Sequence, residues 1–186
     1  APLRYISSLK EWDTFTTTRQ PRKAVEHFWT DAAGGRDRAR DAIAGYYGRV
    51  ESANRHFSSY TEGWKTDRGL VNIIFGTPTT IRKNDTGETW TYGDESNLMS
   101  LTFTFVKRDD PYSDNDLVLR RDPQLKSAWY RNVESWRNGR IMQNWWGEGV
   151  IGTEDDEERI GVWSASRAGG AAERPARGEG VDPPRC

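Results

Sequence analysis

Gly63-Trp64-Lys65-Thr66-Asp67-Arg68-Gly69 runs straight into Leu70-Val71-Asn72-Ile73-Ile74-Phe75 and then into the turn Gly76-Thr77-Pro78. Upstream of this stretch apolar residues recur every three or four positions, as on one face of a helix. Downstream they alternate, as in a strand. A glycine at each end suits a backbone that turns sharply, and Thr66-Asp67-Arg68-Gly69 reads as a type I turn feeding a short apolar strand over 70–75. Trp64 is too large to leave in water and is expected beneath the sheet. Gly63, Trp64, Thr66, Asp67, Arg68 and Gly69 together read as a structural hinge between helices and sheet.

Working upstream, a helix is predicted over 37–57, where Ile43, Tyr46, Tyr47, Val50, Ala53 and Phe57 share one face. Gly34-Gly35 separates it from a second helix that opens at Pro21 and carries the stripe Val25, Phe28, Trp29 and Ala32. Before that, Ser8-Leu9-Lys10-Glu11 has the pattern of a capping box. It opens a first short helix with Leu9, Trp12 and Phe15 on one face.

Working downstream, strands are predicted over 79–83 and 88–92 around the turn Asn84-Asp85-Thr86-Gly87, then over 101–105 and 116–119. Leu101-Thr102-Phe103-Thr104-Phe105 alternates cleanly, so one face of the sheet is buried and the other is wet. Asp122 as cap and Pro123 in the first turn open a last helix, with Leu125, Ala128, Trp129, Val133 and Trp136 inward. It is expected to end near Gly139, with Ile141 to Trp146 as a candidate extension after a break. From Gly147 the composition changes. An acidic run, Glu154-Asp155-Asp156-Glu157-Glu158, precedes the small apolar island Ile160-Gly161-Val162-Trp163 and an Ala/Gly/Arg/Pro-rich end.

The central stretch carries a family resemblance, and so do His27-Phe28-Trp29, Tyr46-Tyr47-Gly48-Arg49-Val50, Ala53-Asn54-Arg55-His56-Phe57, Ile74-Phe75-Gly76-Thr77-Pro78 and Glu88-Thr89-Trp90-Thr91-Tyr92. Over roughly residues 3 to 106 the chain resembles the GWxTD domain, found in envelope and secreted proteins of Bacteroidetes-type bacteria and neighbouring phyla. Asn72 stands where that family more often has an aromatic, and Thr77 where it often has proline. The resemblance implies a domain and a periplasmic or extracellular location; it names no reaction. It also favours a mature secreted chain over a fragment.

Composition bounds the alternatives. The chain has 186 residues, 27 Lys and Arg against 28 Asp and Glu, and a net charge of −1, so no bulk field draws it to nucleic acid or an anionic membrane. Nine Trp and seven Tyr within a hydrophobic fraction of only 34% point to a core built from large aromatics. No apolar run approaches the ~20 residues of a membrane-spanning helix. Cys186 is the single cysteine, so an intramolecular disulfide is excluded.

The residues that invite chemistry each have a simpler role. A carboxylate beside a guanidinium usually fixes a loop, so Asp67 is expected to accept N–H groups in its own turn and Arg68 to reach Glu51, Asp41 or a strand carbonyl. His27 and His56 lie on helices beside core phenylalanines, without the second histidine or cysteine that zinc needs. Ser58, His56 and Asp67 can be drawn as a triad, but no nucleophile elbow supports it. The acidic loop over 109–116 lacks the alternation and central glycine of an EF-hand. Helices two and three carry a mild surplus of three positive charges over 19–55, enough to meet an acidic partner. Trp145 and Trp146 either stack on a sugar or anchor a partner, or else close the core.

These readings converge on an α+β fold: N-terminal helices and a C-terminal helix packed on an antiparallel sheet of four or five strands. The domain is expected over 1–146, with a low-complexity tail over 147–186. The function expected is that of a non-enzymatic interaction module, an accessory subunit of a membrane-associated envelope assembly on the extracytoplasmic side. No catalytic set, cofactor or metal centre is expected, and the partners are other protein subunits. Partner contacts are expected at Trp145, Trp146, Ile160, Val162 and Trp163. A carbohydrate-binding domain is the alternative, and a hydrolase the third reading.

Overall fold

A computed structural model describes residues 1–94, 97, 100–108 and 115–140. After a 3-10 turn at Pro2–Tyr5 come α1 (Leu9–Thr17), α2 (Pro21–Ala33) and α3 (Arg36–Phe57). A second 3-10 turn at Gly63–Lys65 leads into α4 (Asp67–Phe75). The strands β1 (Thr80–Asn84), β2 (Gly87–Tyr92), β3 (Leu101–Lys107) and β4 (Leu117–Leu119) follow, and a 3-10 turn at Pro123–Leu125 opens α5 (Lys126–Arg137). The strands form one antiparallel sheet in the order β1-β2-β3-β4. The fold is α+β, with helices before and after the sheet in sequence.

The N-terminal helices follow from their signals. Ser8 Oγ accepts the Glu11 N–H and Glu11 Oε2 accepts the Ser8 N–H, which completes the capping box of α1. Pro21 sits in the first turn of α2, and Gly34, with φ of 65°, ends it in the left-handed region. The α1 stripe is shallower than expected. Trp12 and Phe15 are half-buried while Leu9 is exposed, because α1 rides on the outside of α2.

One expected element is corrected. Residues 70–75 form the body of α4, not a strand. Thr66 is its N-cap, with Oγ1 accepting the Gly69 N–H at 3.1 Å, so the expected type I turn is the first turn of a helix. Every residue from Arg68 to Ile74 is buried. A helix enclosed on all sides needs apolar residues all round, and such a run shows no period that separates it from a buried strand. Among the described residues the sheet consequently has four strands.

The core lies between the sheet and the helices. Trp90, Tyr92, Phe103, Phe105, Leu117 and Leu119 project from one face of the sheet onto Ile73, Ile74, Trp129 and Val133. Ring contacts knit it together: Phe75 meets Tyr92, Phe103 and Trp129 at centroid distances of 5.6, 4.8 and 5.6 Å. The opposite face carries the threonine pairs Thr89–Thr104 and Thr91–Thr102, the polar half of the alternation. Among the described residues no helix is long and apolar enough to cross a membrane. Trp145, Trp146, Ile160, Val162, Trp163, Cys186 and most of the acidic loop over 109–116 lie outside the described residues.

Candidate functional site

The hinge stretch is held by backbone contacts that leave no room for side chains. A Cβ on Gly63 would fall 2.0 Å from the Ala53 carbonyl oxygen, and one on Gly69 would fall 1.8 Å from that of Gly63. The turn before α4 is thereby seated against the C-terminal half of α3, with α4 closing over it. Asn54 Oδ1 accepts the Trp64 N–H at 3.0 Å, Ser58 Oγ accepts the Gly63 N–H at 3.0 Å, and the Tyr5 hydroxyl donates to the Trp64 carbonyl at 2.9 Å. Trp64 itself is half-buried. It packs edge-on against Tyr5 at 6.0 Å, with the Lys65 ammonium 5.3 Å from its ring, and does not lie under the sheet as expected. The turn packs on α3 and on Tyr5 of the N-terminal 3-10 turn instead.

Asp67 looks away from its own turn, contrary to the sequence expectation, and Arg68 reaches across the fold to partners other than the two carboxylates expected for it. Asp67 Oδ2 accepts the Leu119 N–H at 2.7 Å, tying α4 to β4. Burial pushes the Asp67 carboxyl above its ordinary range, although the Leu119 N–H and Arg121 pull against it. Arg68 reaches neither Glu51 nor Asp41. Its Nη1 donates to Glu88 Oε1 at 3.1 Å on β2, and its Nη2 donates to the Asn115 carbonyl at 2.6 Å and to Asn115 Oδ1. The guanidinium also stacks on Phe57 at 5.3 Å.

Glu88 gathers three donors. Beside Arg68, Lys83 Nζ lies 3.1 Å from Oε1 and Trp90 Nε1 donates to Oε2 at 3.0 Å. Burial alone would raise its pKa, but the bonds from Trp90 and Lys83 and the nearby Arg68 charge hold it below the ordinary carboxylate value. The other end of α4 is equally tied. Arg49 Nη1 donates to the carbonyls of Ile73 and Ile74 at 3.1 and 3.3 Å, Trp136 Nε1 donates to Ile74 O at 3.2 Å, and the Tyr92 hydroxyl donates to Gly76 O at 2.8 Å. These partners satisfy carbonyls that a helix C-terminus leaves open, and the cation suits the dipole there. Glu88, Asn115 and Arg49 carry no local sequence signal for these roles. Only the fold brings them to the motif.

Beside this frame opens a cleft of about 590 Å³. Its walls are the last turns of α3 (Ser52, His56, Phe57) and the strand β1 (Ile81, Lys83), and Trp90, Glu88 and Arg68 form its floor. The helical layer covers Trp90 fully and stops short of Ile81, which is 44% exposed. β1 is an edge strand, and from Ile81 to Asn84 all its residues are exposed. Among the described residues three cations, Arg68, Lys83 and Lys107, line the cleft against one carboxylate, Glu88.

The groups weighed for catalysis are dispersed. His56 Nδ1 lies 2.9 Å from the Ser52 carbonyl, Ser58 Oγ donates to Asn54 O, and Asp67 serves Leu119, so these three do not form a triad. His27 pairs with Asp31 at 2.6 Å on the exposed face of α2. Among the described residues no three His, Cys, Asp or Glu side chains gather as metal ligands would.

Comparison with known proteins adds one finding. No curated protein and no solved structure matches the chain. The GWxTD domain family does match, over residues 1–138, from the first 3-10 turn through α5. With the Gly63–Gly69 stretch at the centre of the architecture and the match spanning every described element, the chain belongs to the GWxTD domain family.

Proposed function

We propose that this chain is a protein-interaction module, an accessory subunit of a larger assembly at the bacterial envelope, on its extracytoplasmic side. The observation that carries the reading is the α3–β1 cleft, where an edge strand projects past the helical layer and, among the described residues, one side of its backbone is uncovered. Exposed edges recruit strands from other chains, and proteins without a use for an edge cover or shorten it. The charged residues of the motif support the same reading, because Asp67 and Arg68 are spent on tying α4 to β4 and β2. The envelope location rests on the family's occurrence in envelope and secreted proteins.

A sugar-binding role finds less support. Trp90, the tryptophan of the cleft, is fully buried and presents no ring face for stacking. The test is co-purification of the full chain from its native envelope under mild detergent, wild type beside Ile81→Arg. The expected result is a defined set of subunits retained by wild type and lost by the variant at unchanged melting temperature. Retention of the same subunits by Ile81→Arg would overturn the assignment of the cleft.

A further inference from the structure

We propose that the α3–β1 cleft binds an extended, uncharged peptide segment, and that the side-chain amide of Asn72 grips its main chain. This inference rests on the reading of the cleft as an interaction site and names the group that recognises what enters it.

Asn72 lies in the second half of α4 and is only 6% exposed. Its backbone carbonyl accepts the Gly76 N–H, but among the described residues its side-chain amide has no hydrogen-bond partner. A polar group buried without a partner costs stability, which an apolar residue of the same size would not. Unlike Arg68 Nε, which is sealed from solvent, neither polar atom of the amide is fully enclosed. Asn72 stands where two hollows meet. It lines the cleft of about 590 Å³ and a second hollow of about 440 Å³, and Ser52 and Thr77 are the other residues common to both.

The combined groove follows α3. Ala44, Gly48, Ser52 and His56 recur every fourth position on one face of that helix, and the connection from Phe75 to Pro78 forms the other wall. At about 1.5 Å per residue the groove runs about 18 Å from Ala44 to His56, a length that roughly five or six extended residues span. The α3 wall is low at Gly48, where an added Cβ would meet nothing within 4 Å, so a main chain can approach closely. At the other end Phe57, Pro78 and Ile81 offer an apolar step for one side chain. A carboxamide presents a donor beside an acceptor. In an extended chain the N–H and C=O of one residue lie on the same edge, so a single residue of the guest satisfies both halves of the Asn72 amide. The charges of the walls are already engaged. Glu88 pairs with Arg68 and Lys83, Arg49 is bonded to the Ile73 and Ile74 carbonyls, and Lys107 is exposed to water. An uncharged guest therefore fits better than an ion.

The experiment titrates the full chain with a labelled hexapeptide, acetyl-Ser-Ala-Leu-Ala-Ser-Ala-amide, by fluorescence anisotropy, and measures the melting temperature of each variant alone. Control peptides carry an N-methyl group on one main-chain nitrogen at a time, or have both serines replaced by glutamate or by lysine. The parent peptide is expected to reach half-saturation below about 1 mM. Methylation of one particular nitrogen is expected to weaken it at least tenfold, and neither charged peptide is expected to bind more tightly. Asn72→Leu is expected to lose at least tenfold in affinity and to melt at the wild-type temperature or a few degrees above it, because no internal bond is broken. Asn72→Ala, which cannot crowd the groove, is expected to show the same loss of affinity. The proposal is overturned if the parent peptide does not bind, if Asn72→Ala binds within twofold of wild type, if every methylated peptide binds like the parent, or if a charged peptide binds tenfold tighter. A lower melting temperature of Asn72→Leu would also overturn it, since the amide would then be bonded within the fold. Loss of native subunits in Ile81→Arg but not in Asn72→Leu would keep the interaction reading and reject the grip by Asn72. Retention of those subunits by Ile81→Arg would reject both.

Discussion

Asp67 Oδ2 accepts the backbone N–H of Leu119 at 2.7 Å, so the first turn of α4 holds the last strand of the sheet across 52 positions of sequence. Replacing Asp67 by alanine leaves that N–H without its partner in a half-buried place, and the cost expected is about 1–3 kcal/mol. Asp67→Asn keeps an acceptor and is expected to lose less. Urea denaturation of the two variants beside wild type checks the order.

The buried pair Arg68–Glu88 should behave non-additively. Removing Glu88 leaves the Arg68 guanidinium, only 5% exposed, without its counter-charge, and about 3–5 kcal/mol is the expected loss, whereas removing Arg68 leaves Glu88 with Lys83 and Trp90 and is expected to cost less. The double variant Arg68→Met, Glu88→Leu has no stranded charge and is expected to recover more than half of it. A double-mutant cycle from chemical denaturation measures this, and equal losses that simply add would refute coupling.

Gly63 and Gly69 tolerate nothing larger. Because the added Cβ of Gly63→Ala or Gly69→Ala would meet a backbone carbonyl, the main chain itself must move, and about 3 kcal/mol or more is expected to be lost. Gly48→Ala on α3, where a Cβ meets nothing within 4 Å, is the matched control. It is expected to stabilise the helix by about 0.5–1 kcal/mol, and thermal melts of the three variants separate the cases.

Trp64→Ala is expected to cost only about 1.5–2.5 kcal/mol, half of what a fully buried tryptophan loses. The side chain is half-buried, and the turn's hydrogen bonds use its backbone. Trp90→Ala, from the centre of the core, is expected to lose about 3–5 kcal/mol under the same conditions.

Acid should weaken the joint between α1 and α5. Burial tends to raise the Glu11 pKa, but the Arg137 hydrogen bonds, those of the Ser8 N–H and hydroxyl, and the Arg137 charge outweigh it and hold Glu11 at about 2. A depressed carboxylate stabilises the fold above its ordinary value of 4.5 and loses that contribution as pH falls toward 2. Asp67, whose pKa is raised, acts with the opposite sign and gains stability for the folded state on protonation. Stability measured from pH 6 to pH 2 should therefore fall less steeply in Glu11→Gln than in wild type, and more steeply in Asp67→Asn.

Most of the architecture was legible because its signals are local. The capping box at Ser8, the glycine pair after Ala33 and the turn at Asn84–Gly87 each act within a few residues, and helices and strands fall within a residue or two of where those signals put them. The segment over 70–75 was not legible as a helix, because enclosure on every side removes the polar stripe that gives a helix its period. The roles of Asp67 and Arg68 were illegible for a different reason. Their partners, Leu119, Glu88 and Asn115, lie 20 to 52 positions away, and a carboxylate or guanidinium does not announce a distant partner. The cleft was missed altogether, since an unoccupied edge is a property of how far the helices extend over the sheet.

Arg137, at the end of α5, forms a two-pronged pair with Glu11 at 2.7 and 2.9 Å and also donates to the Ile6 carbonyl at 2.9 Å. The two sides of that joint leave the ribosome far apart in time. Every helix and strand through β4 has emerged before Arg137 is available, so α1 waits unlatched through nearly the whole synthesis of the domain. The sheet, whose strands pair only with neighbours in sequence, does not wait. The last turn of α5 is thus a clasp on assembly as well as a contact, and a nascent chain is sealed only when it closes.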